Sequence, residues 1–228
     1  TGLQGPNSSI GPHGSSGIQA VADAALAVST GEAPFALAGG TDSPINIFMT
    51  AYFGAQGLLS ESGRCMPFHP AADGTVLGEA AAFLWIEPLE AARERGAEPL
   101  AAILSAGQAH EAGPFGPPRH ADPYLRAGME ALRDSGVEPD TVRRWSADGW
   151  GLPRTDRAEQ RAARELFPMH KPSRRATKDL VGHCFAAAGT LDVALSCCDP
   201  AEGPELIWAA GTDGTVAAVV IEPLEERS

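Results

Sequence analysis

The sequence predicts an α/β protein of stacked layers, built from two copies of one unit. Three observations carry this. Short apolar runs that end in glycine alternate with helix-period stretches along the chain, the pattern of strands packed against helices. Ala38, Gly40, Thr41 and Asp42 recur as Ala209, Gly211, Thr212 and Asp213, 171 residues later. Two further echoes keep the same order. Gly17 with Val21 and Ala25 precedes the first copy, as Gly189 with Val193 and Leu195 precedes the second, 172 residues on. Ile86-Glu-Pro-Leu-Glu90 follows the first copy and Ile221-Glu-Pro-Leu-Glu225 the second, 135 residues on. Three echoes in one order point to an internal duplication. The expected units are residues 1–96 and 97–228.

In chain order, Asn7 to Ile10 reads as a short strand, followed by the glycine-rich turn Gly11-Pro12-His13-Gly14-Ser15-Ser16-Gly17. A helix pattern begins at once (Ile18, Val21, Ala22, Ala25, Leu26), with Ser15 or Ser16 expected as its cap. Strand, turn and helix make an elbow that presents its central residue at a helix N-terminus, where partial positive charge favours an anionic nucleophile. The natural occupant is Ser or Cys; here it is Gly14. Phe35 to Asp42 reads as a buried strand. Phe48, Met49, Tyr52, Phe53 and Gln56 fall at helical spacing. The shorter last offset places an insertion between residues 43 and 78, with the loop Ser60 to Thr75 inside it. Ala82 to Glu90 reads as a strand running into a proline-started segment. Leu100 to Ala106 is the next strand, and Gly113 to Pro118 a surface loop. Asp122 to Gly136 is a helix, Trp145 to Ala147 a strand and Thr155 to Leu166 a helix. The strand Leu206 to Asp213 and the strand Ala218 to Glu225 repeat the first copy.

The second copy has a long run before its helix, whereas only sixteen residues precede Gly17. The first repeat is therefore expected to be truncated at its N-terminus, its sheet left with open edges and an uncovered face for a partner chain to complete. The chain starts at Thr1 and not at Met, which reads as cleavage, trimming or renumbering; Thr1 can also be read as a processed N-terminal nucleophile.

The chain has 228 residues, 43% of them hydrophobic, enough for a sizeable core. A net charge of −12 argues against nucleic acid and anionic membrane surfaces as partners. Arg143-Arg144 and the stretch from Lys171 to Lys178, with Arg174 and Arg175, are the candidate basic patches for an acidic protein. Cys65, Cys184, Cys197 and Cys198 show neither metal-ligand spacing nor the density of a secreted scaffold, so reduced thiols and a cytoplasmic location are expected, with no metal. No apolar run approaches the roughly 20 residues of a membrane span.

Several motifs together resemble a β-ketoacyl synthase, the condensing enzyme of fatty-acid and polyketide synthesis, which has the thiolase fold. Ala38-Gly-Gly-Thr-Asp42, Leu59-Ser60 with Arg64-Cys-Met-Pro-Phe68, and Ala72-Asp-Gly-Thr-Val-Leu-Gly-Glu79 resemble its central segment. Lys178-Asp-Leu-Val-Gly-His183 with Ala186-Ala-Ala-Gly189 resembles its lysine and second-histidine motif, and Gly211-Thr-Asp-Gly-Thr215 stands where it has a glycine-rich loop. The resemblance implies a thiolase-like duplicated fold. It sets Gly14 at the nucleophile position, Asp148 (in Asp148-Gly-Trp-Gly-Leu152) at the first histidine, and His183 and Lys178 at their own positions. Thr212 takes the place of an aromatic residue. Thr212 and Gly214 fall in the oxyanion region, and Phe48 and Tyr52 beside the acyl tunnel and dimer interface.

A condensing synthase needs a thiolate to hold the acyl chain, two histidines at the decarboxylation step and backbone amides for the oxyanion. Two of those groups are replaced here, which implies a chain-length-factor-type subunit. Such a subunit pairs with an active ketosynthase and works on acyl thioesters carried by the phosphopantetheine of an acyl carrier protein, with no cofactor of its own. Members of that kind often carry glutamine at the nucleophile position, and this chain has glycine. Two alternatives stand beside this: an acyltransferase of altered mechanism using His183 and Asp148, and a purely structural scaffold with a filled pocket. Lys178 is expected to pair with Glu79, and Asp148 with Lys178 or His183. His13 can point toward the vacated position. Cys184, next to His183, is expected to be a buried thiol and not a nucleophile.

Overall fold

The computed structural model describes residues 5–11 and 13–224, and of His13 only the backbone. Thr1, Glu225 and the side chain of His13, all named above, lie outside the described residues.

The second half builds a five-stranded sheet. Its strands are β3 (Ala101–His110), β4 (Arg144–Ser146), β5 (Ser173–Arg175), β6 (Glu205–Ala210) and β7 (Thr215–Pro223), in the spatial order β3-β7-β6-β4-β5. β4 lies parallel to both β5 and β6, while β7 runs antiparallel to β6 and β3. Every residue of β6 is buried, because strand side chains alternate between faces and both faces here are covered. Leu206, Trp208 and Ala210 pack outward under α4 (Asp122–Ser135) and α5 (Pro153–Leu166). Ile207 and Ala209 pack inward with Ile18 and Val193.

Those last two residues belong to α1 (Ser16–Ser29) and α7 (Ala188–Cys198), the helices predicted to correspond across the repeat. They cross at their glycines. A Cβ on Gly17 would stand 2.7 Å from the Ala186 carbonyl oxygen, and one on Gly189 would stand 2.6 Å from Ile18 Cγ1. Only glycine lets the two backbones approach this closely. On the far side of the pair lies a second sheet, β1 (Ala36–Asp42) antiparallel to β2 (Ala80–Ile86). Its inner residues Ala38 and Ile86 pack with Val21 and Val28. Its outer residues Leu37, Phe83 and Trp85 are exposed. The two sheets thus sandwich a helical layer, with a further helical layer over the larger sheet alone.

Four expectations need correction. Residues 7–10 form no strand. Ser15 is not an extended capping residue; it closes a 3-10 turn (His13–Ser15) in helical backbone, and its hydroxyl takes the Gln19 side-chain amide at 3.1 Å. The loop at residues 113–118 is only partly surface. Gly116, Pro117 and Pro118 are buried, the Gly116 N–H donates to the Thr212 carbonyl at 2.7 Å, and Phe115 packs edge-on against Tyr52 and Phe53. The expected basic patches are neutralised only in part: Arg144 and Arg175 meet Asp199 and Glu205 and Lys178 is buried, while Arg143, Lys171 and Arg174 stay exposed, Arg174 over the Phe68 ring.

Between β1 and β2 lies α2 (Ile47–Ala55), started by Asn46, whose side-chain oxygen accepts from the Phe48 and Met49 N–H groups. Two short helices complete the elements, α3 (Leu89–Glu94) after Pro88 and α6 (Lys178–Val181). No helix among the described residues is long and apolar enough to cross a membrane.

Candidate functional site

The site is built where the two halves meet. Gly14 lies in the turn before α1. A Cβ there would stand 2.3 Å from the carbonyl oxygen of Ala210, the last residue of β6, and 3.4 Å from His183 Cε1. The turn, the end of β6 and the second-histidine motif therefore converge.

His183 is fully buried. Its backbone bridges to the 76–78 segment, with its N–H to Val76 O at 2.7 Å and its carbonyl taking Gly78 N–H at 3.0 Å. Its ring lies against Trp150 (centroids 4.1 Å) and Phe185 (4.3 Å). Burial, with the nearby Lys178 cation, holds its pKa well below 6.5, so the ring is neutral at physiological pH. Neither ring nitrogen has a hydrogen-bond partner among the described residues. The same is true of Asp148 Oδ2, the Trp150 indole N–H and the Thr212 hydroxyl. Unpartnered buried polar atoms are rare, and five of the eight recorded are on side chains of these four residues.

Asp148 and Lys178 form a buried ion pair. The ammonium donates to one oxygen of the Asp148 side chain and, at 2.6 Å, to the Asp148 carbonyl. Burial works to lower the lysine pKa, but the Asp148, Asp192 and Glu159 carboxyl groups outweigh it, and it ends above its usual value. The Asp148 alternative that names Lys178 is the one the structure contains. The expected Lys178–Glu79 pair is absent: Glu79 is exposed and takes the Ser43 hydroxyl.

The backbone around Asp148 is held from beneath by α5. Glu159 accepts the Asp148 and Gly149 N–H groups at 2.7 and 2.9 Å. Asp156 accepts those of Trp150 and Gly151 with one oxygen and that of Phe68 with the other, at 2.8 Å. Gly149 (φ +53°) and Gly151 (φ +72°) take left-handed backbone that suits glycine, and a Cβ on Gly151 would meet Gly74 O at 2.5 Å. Burial raises Asp156 to about 6 despite its three N–H donors, and burial followed by the Asp148 charge holds Glu159 well above its usual value. Asp192 on α7 takes the Thr177 hydroxyl, and burial pushes it to about 7.

The loop Gly211 to Thr215 turns β6 into β7. Thr212 is buried in it. Gly214 (φ +88°) faces Glu111, whose carbonyl oxygen would be 2.2 Å from a Cβ; its close approach is to that backbone and not to Gly14. The profiles of the Beta-ketoacyl synthase N-terminal domain and C-terminal domain match residues 1–92 and 100–199 in turn.

The chain belongs to the β-ketoacyl synthase family.

It is similar to curated proteins named 3-oxoacyl-[acyl-carrier-protein] synthase 2. The Staphylococcus aureus protein is 32% identical over 202 residues, covering 86% of this chain and 50% of that one. The Coxiella burnetii protein is 32% identical over 202 residues, covering 85% and 49%. The chain spans about half the length of the curated relatives it matches. Among solved structures, the ketosynthase from module 6 of the bacillaene synthase of Bacillus subtilis 168 superposes with a TM-score of 0.92 at 21% identity, over 99% of this chain and 48% of that one. The ishigamide ketosynthase/chain length factor superposes at 0.86 and 24%, over 94% and 60%. A type II polyketide acyl-carrier protein in complex with its ketosynthase superposes at 0.88 and 22%, over 93% and 62%. These likenesses confirm the thiolase-like ketosynthase fold.

Of the residues the resemblance marked, the structure brings Gly14 to His183 and Lys178 to Asp148, with Trp150 between His183 and Lys178. Phe48, 82% exposed, is outside this group, and Tyr52 is partly exposed beside Phe115. Phe53, on the same helix, is the buried member; it packs edge-on against Phe185 at 5.0 Å, and Phe185 lies against His183. Cys184 is buried with its thiol pKa raised by burial, as expected of a packing residue. Sequence reasoning missed Trp150, Asp156 and Glu159. The spacing of the two carboxylates along α5, three apart and on its buried side, was a usable signal. Among the described residues no cluster could hold a metal ion.

Proposed function

We propose that this chain is a ketosynthase-like subunit of the chain-length-factor type that carries out no condensation itself. It pairs with an active ketosynthase acting on acyl thioesters of an acyl carrier protein, and helps to shape the space in which the acyl chain grows. One observation carries this: at Gly14 the Ala210 carbonyl stands where a side chain would start. A nucleophile's Cβ has no room there unless backbone moves. Asp148 supports the same reading, since its carboxylate is committed to Lys178 and no proton donor replaces the histidine that the family carries.

In this reading residues 1–96 and 97–228 are two repeats of one unit. Other polypeptide, from a companion chain or the rest of a precursor, covers the outer face of the β1–β2 sheet. The complex works in the cytoplasm. The test combines native mass spectrometry of the protein from its producing cell with a malonyl-carrier condensation assay. The expected result is co-migration with a full ketosynthase and no ketoacyl product from this chain alone. Product formed by this chain alone, and lost in His183→Ala with the fold intact, would establish the acyltransferase of altered mechanism in its place.

A further inference from the structure

Trp150 joins the two parts of the candidate site. Its ring centroid lies 4.1 Å from that of His183, and the Lys178 ammonium lies 5.6 Å from it. With Phe53, Leu58 and Phe185 it fills an apolar cluster, and it is completely buried. A buried indole N–H usually finds an acceptor; this one has none among the described residues. The backbone holds the residue instead. Asp156 takes the Trp150 and Gly151 N–H groups at 3.0 and 3.2 Å. The ring is therefore placed from its main chain and not by a polar contact of its own.

His183 shows what that ring closes off. Trp150 and Phe185 both lie against the imidazole. Its Cε1 would be 3.4 Å from a Cβ at position 14. Cε1 is the carbon between the two ring nitrogens, so the hydrogen-bonding edge of the ring turns toward position 14. A neutral imidazole offers one donor and one acceptor there. Neither is met among the described residues, nor are the Thr212 hydroxyl and Asp148 Oδ2. Buried groups left unmet are costly, and four side chains share that cost in one place.

We propose that Trp150 is an internal plug. Its indole occupies the space through which a ligand would reach the nitrogen edge of His183, and it closes this chain's own site to acyl thioesters. The identity of the excluded ligand rests on the function proposed above; the plug rests on the packing alone. Removing the indole takes away no hydrogen bond and leaves a space walled by apolar rings. Interior cavities of about 150 Å3 with such walls bind a benzene ring. The space behind Trp150 suits a flat apolar molecule, and indole is the probe.

The test uses the chain with whatever companions it retains on purification from its producing cell. Diethyl pyrocarbonate modifies accessible neutral imidazoles, and peptide mass spectrometry compares His183 with the exposed His69 and His120. In the unaltered protein His183 should react at less than about one hundredth of their rate. In Trp150→Ala it should come within about tenfold of them. Indole should protect it again and raise the thermal midpoint of that variant alone, by about 3 °C at ten times its Kd. Leu58→Ala, from the same cluster, should lower the midpoint without exposing His183. Should Trp150→Ala not fold, Trp150→Leu is read in the same way with benzene as the smaller probe.

A reactive His183 in the unaltered protein would overturn the proposal. So would equal exposure in Leu58→Ala, or a folded Trp150 variant that neither exposes His183 nor binds its probe. If His183 is reactive while the chain alone forms no ketoacyl product, the plug is wrong and the proposed function stands. If His183 is shielded and released as expected while no ketosynthase co-migrates, the plug stands and the proposed pairing falls.

Discussion

Position 14 is decided by a carbonyl. The Ala210 oxygen lies 2.3 Å from where a Cβ would be, well inside van der Waals contact, and it belongs to a strand buried along its whole length. Such a strand end does not yield as a flexible side chain would. Gly14→Cys is therefore expected to lower stability by about 1–3 kcal/mol, the usual range for overpacking, and to acquire no acyl adduct from an acyl thioester. Mass spectrometry and thermal melting read the two outcomes, and an acylated Gly14→Cys protein would refute the blocked-nucleophile interpretation. The glycine itself was legible from the motif, but the contact that fixes it was not. Ala210 is 196 positions away in the sequence, and only the packing of the two halves brings it close. The same holds for Asp148 and Lys178. Both were marked, yet the choice between Lys178, His183 and Glu79 as partners depended on the fold.

Among the elements, the helices α4 and α5 were predicted to within two residues of their ends, while the strands β3, β6 and β7 differ by three or four residues at one end and β5 was not foreseen. The antiparallel β6–β7 pair, the Gly17–Gly189 crossing and the antiparallel β1–β2 pair are made by the segments that the sequence echoes mark. What failed were local features without a period: the supposed strand at residues 7–10, the serine cap, and the proline loop that folds over Thr212. Helices α5 and α7 carry the groups that set the pH response. Asp156, raised to about 6, and Asp192, raised to about 7, keep protons in the folded state that the unfolded chain releases near pH 4. Their contribution to stability is complete below pH 4 and is lost as pH rises through 6 and 7. His183 acts in the opposite sense: kept neutral by burial, its contribution is present above pH 6.5 and lost on acidification. Asp192→Asn should therefore lose less stability than the unaltered protein between pH 6 and 8. Urea midpoints across that range test this, and parallel curves would exclude Asp192 as the source.

For the molecule as a whole, the asymmetry between the sheets matters most. The five-stranded sheet has a helical layer on both faces, whereas the two-stranded sheet has one only on its inner face. Leu37 and Trp85 face each other across the β1–β2 register, with Phe83 two residues along and Phe35 stacked on Trp85 at 4.3 Å. Of the four tryptophans, Trp145, Trp150 and Trp208 are buried and Trp85 is 53% exposed. Trp85 is thus an optical test of the assembly proposed above. Emission from the one water-facing indole should sit at the red edge of the spectrum, open to quenching by iodide or acrylamide. It should move to the blue and become shielded when other polypeptide settles on the sheet. A Trp85→Phe variant that showed the same shift would place the change elsewhere.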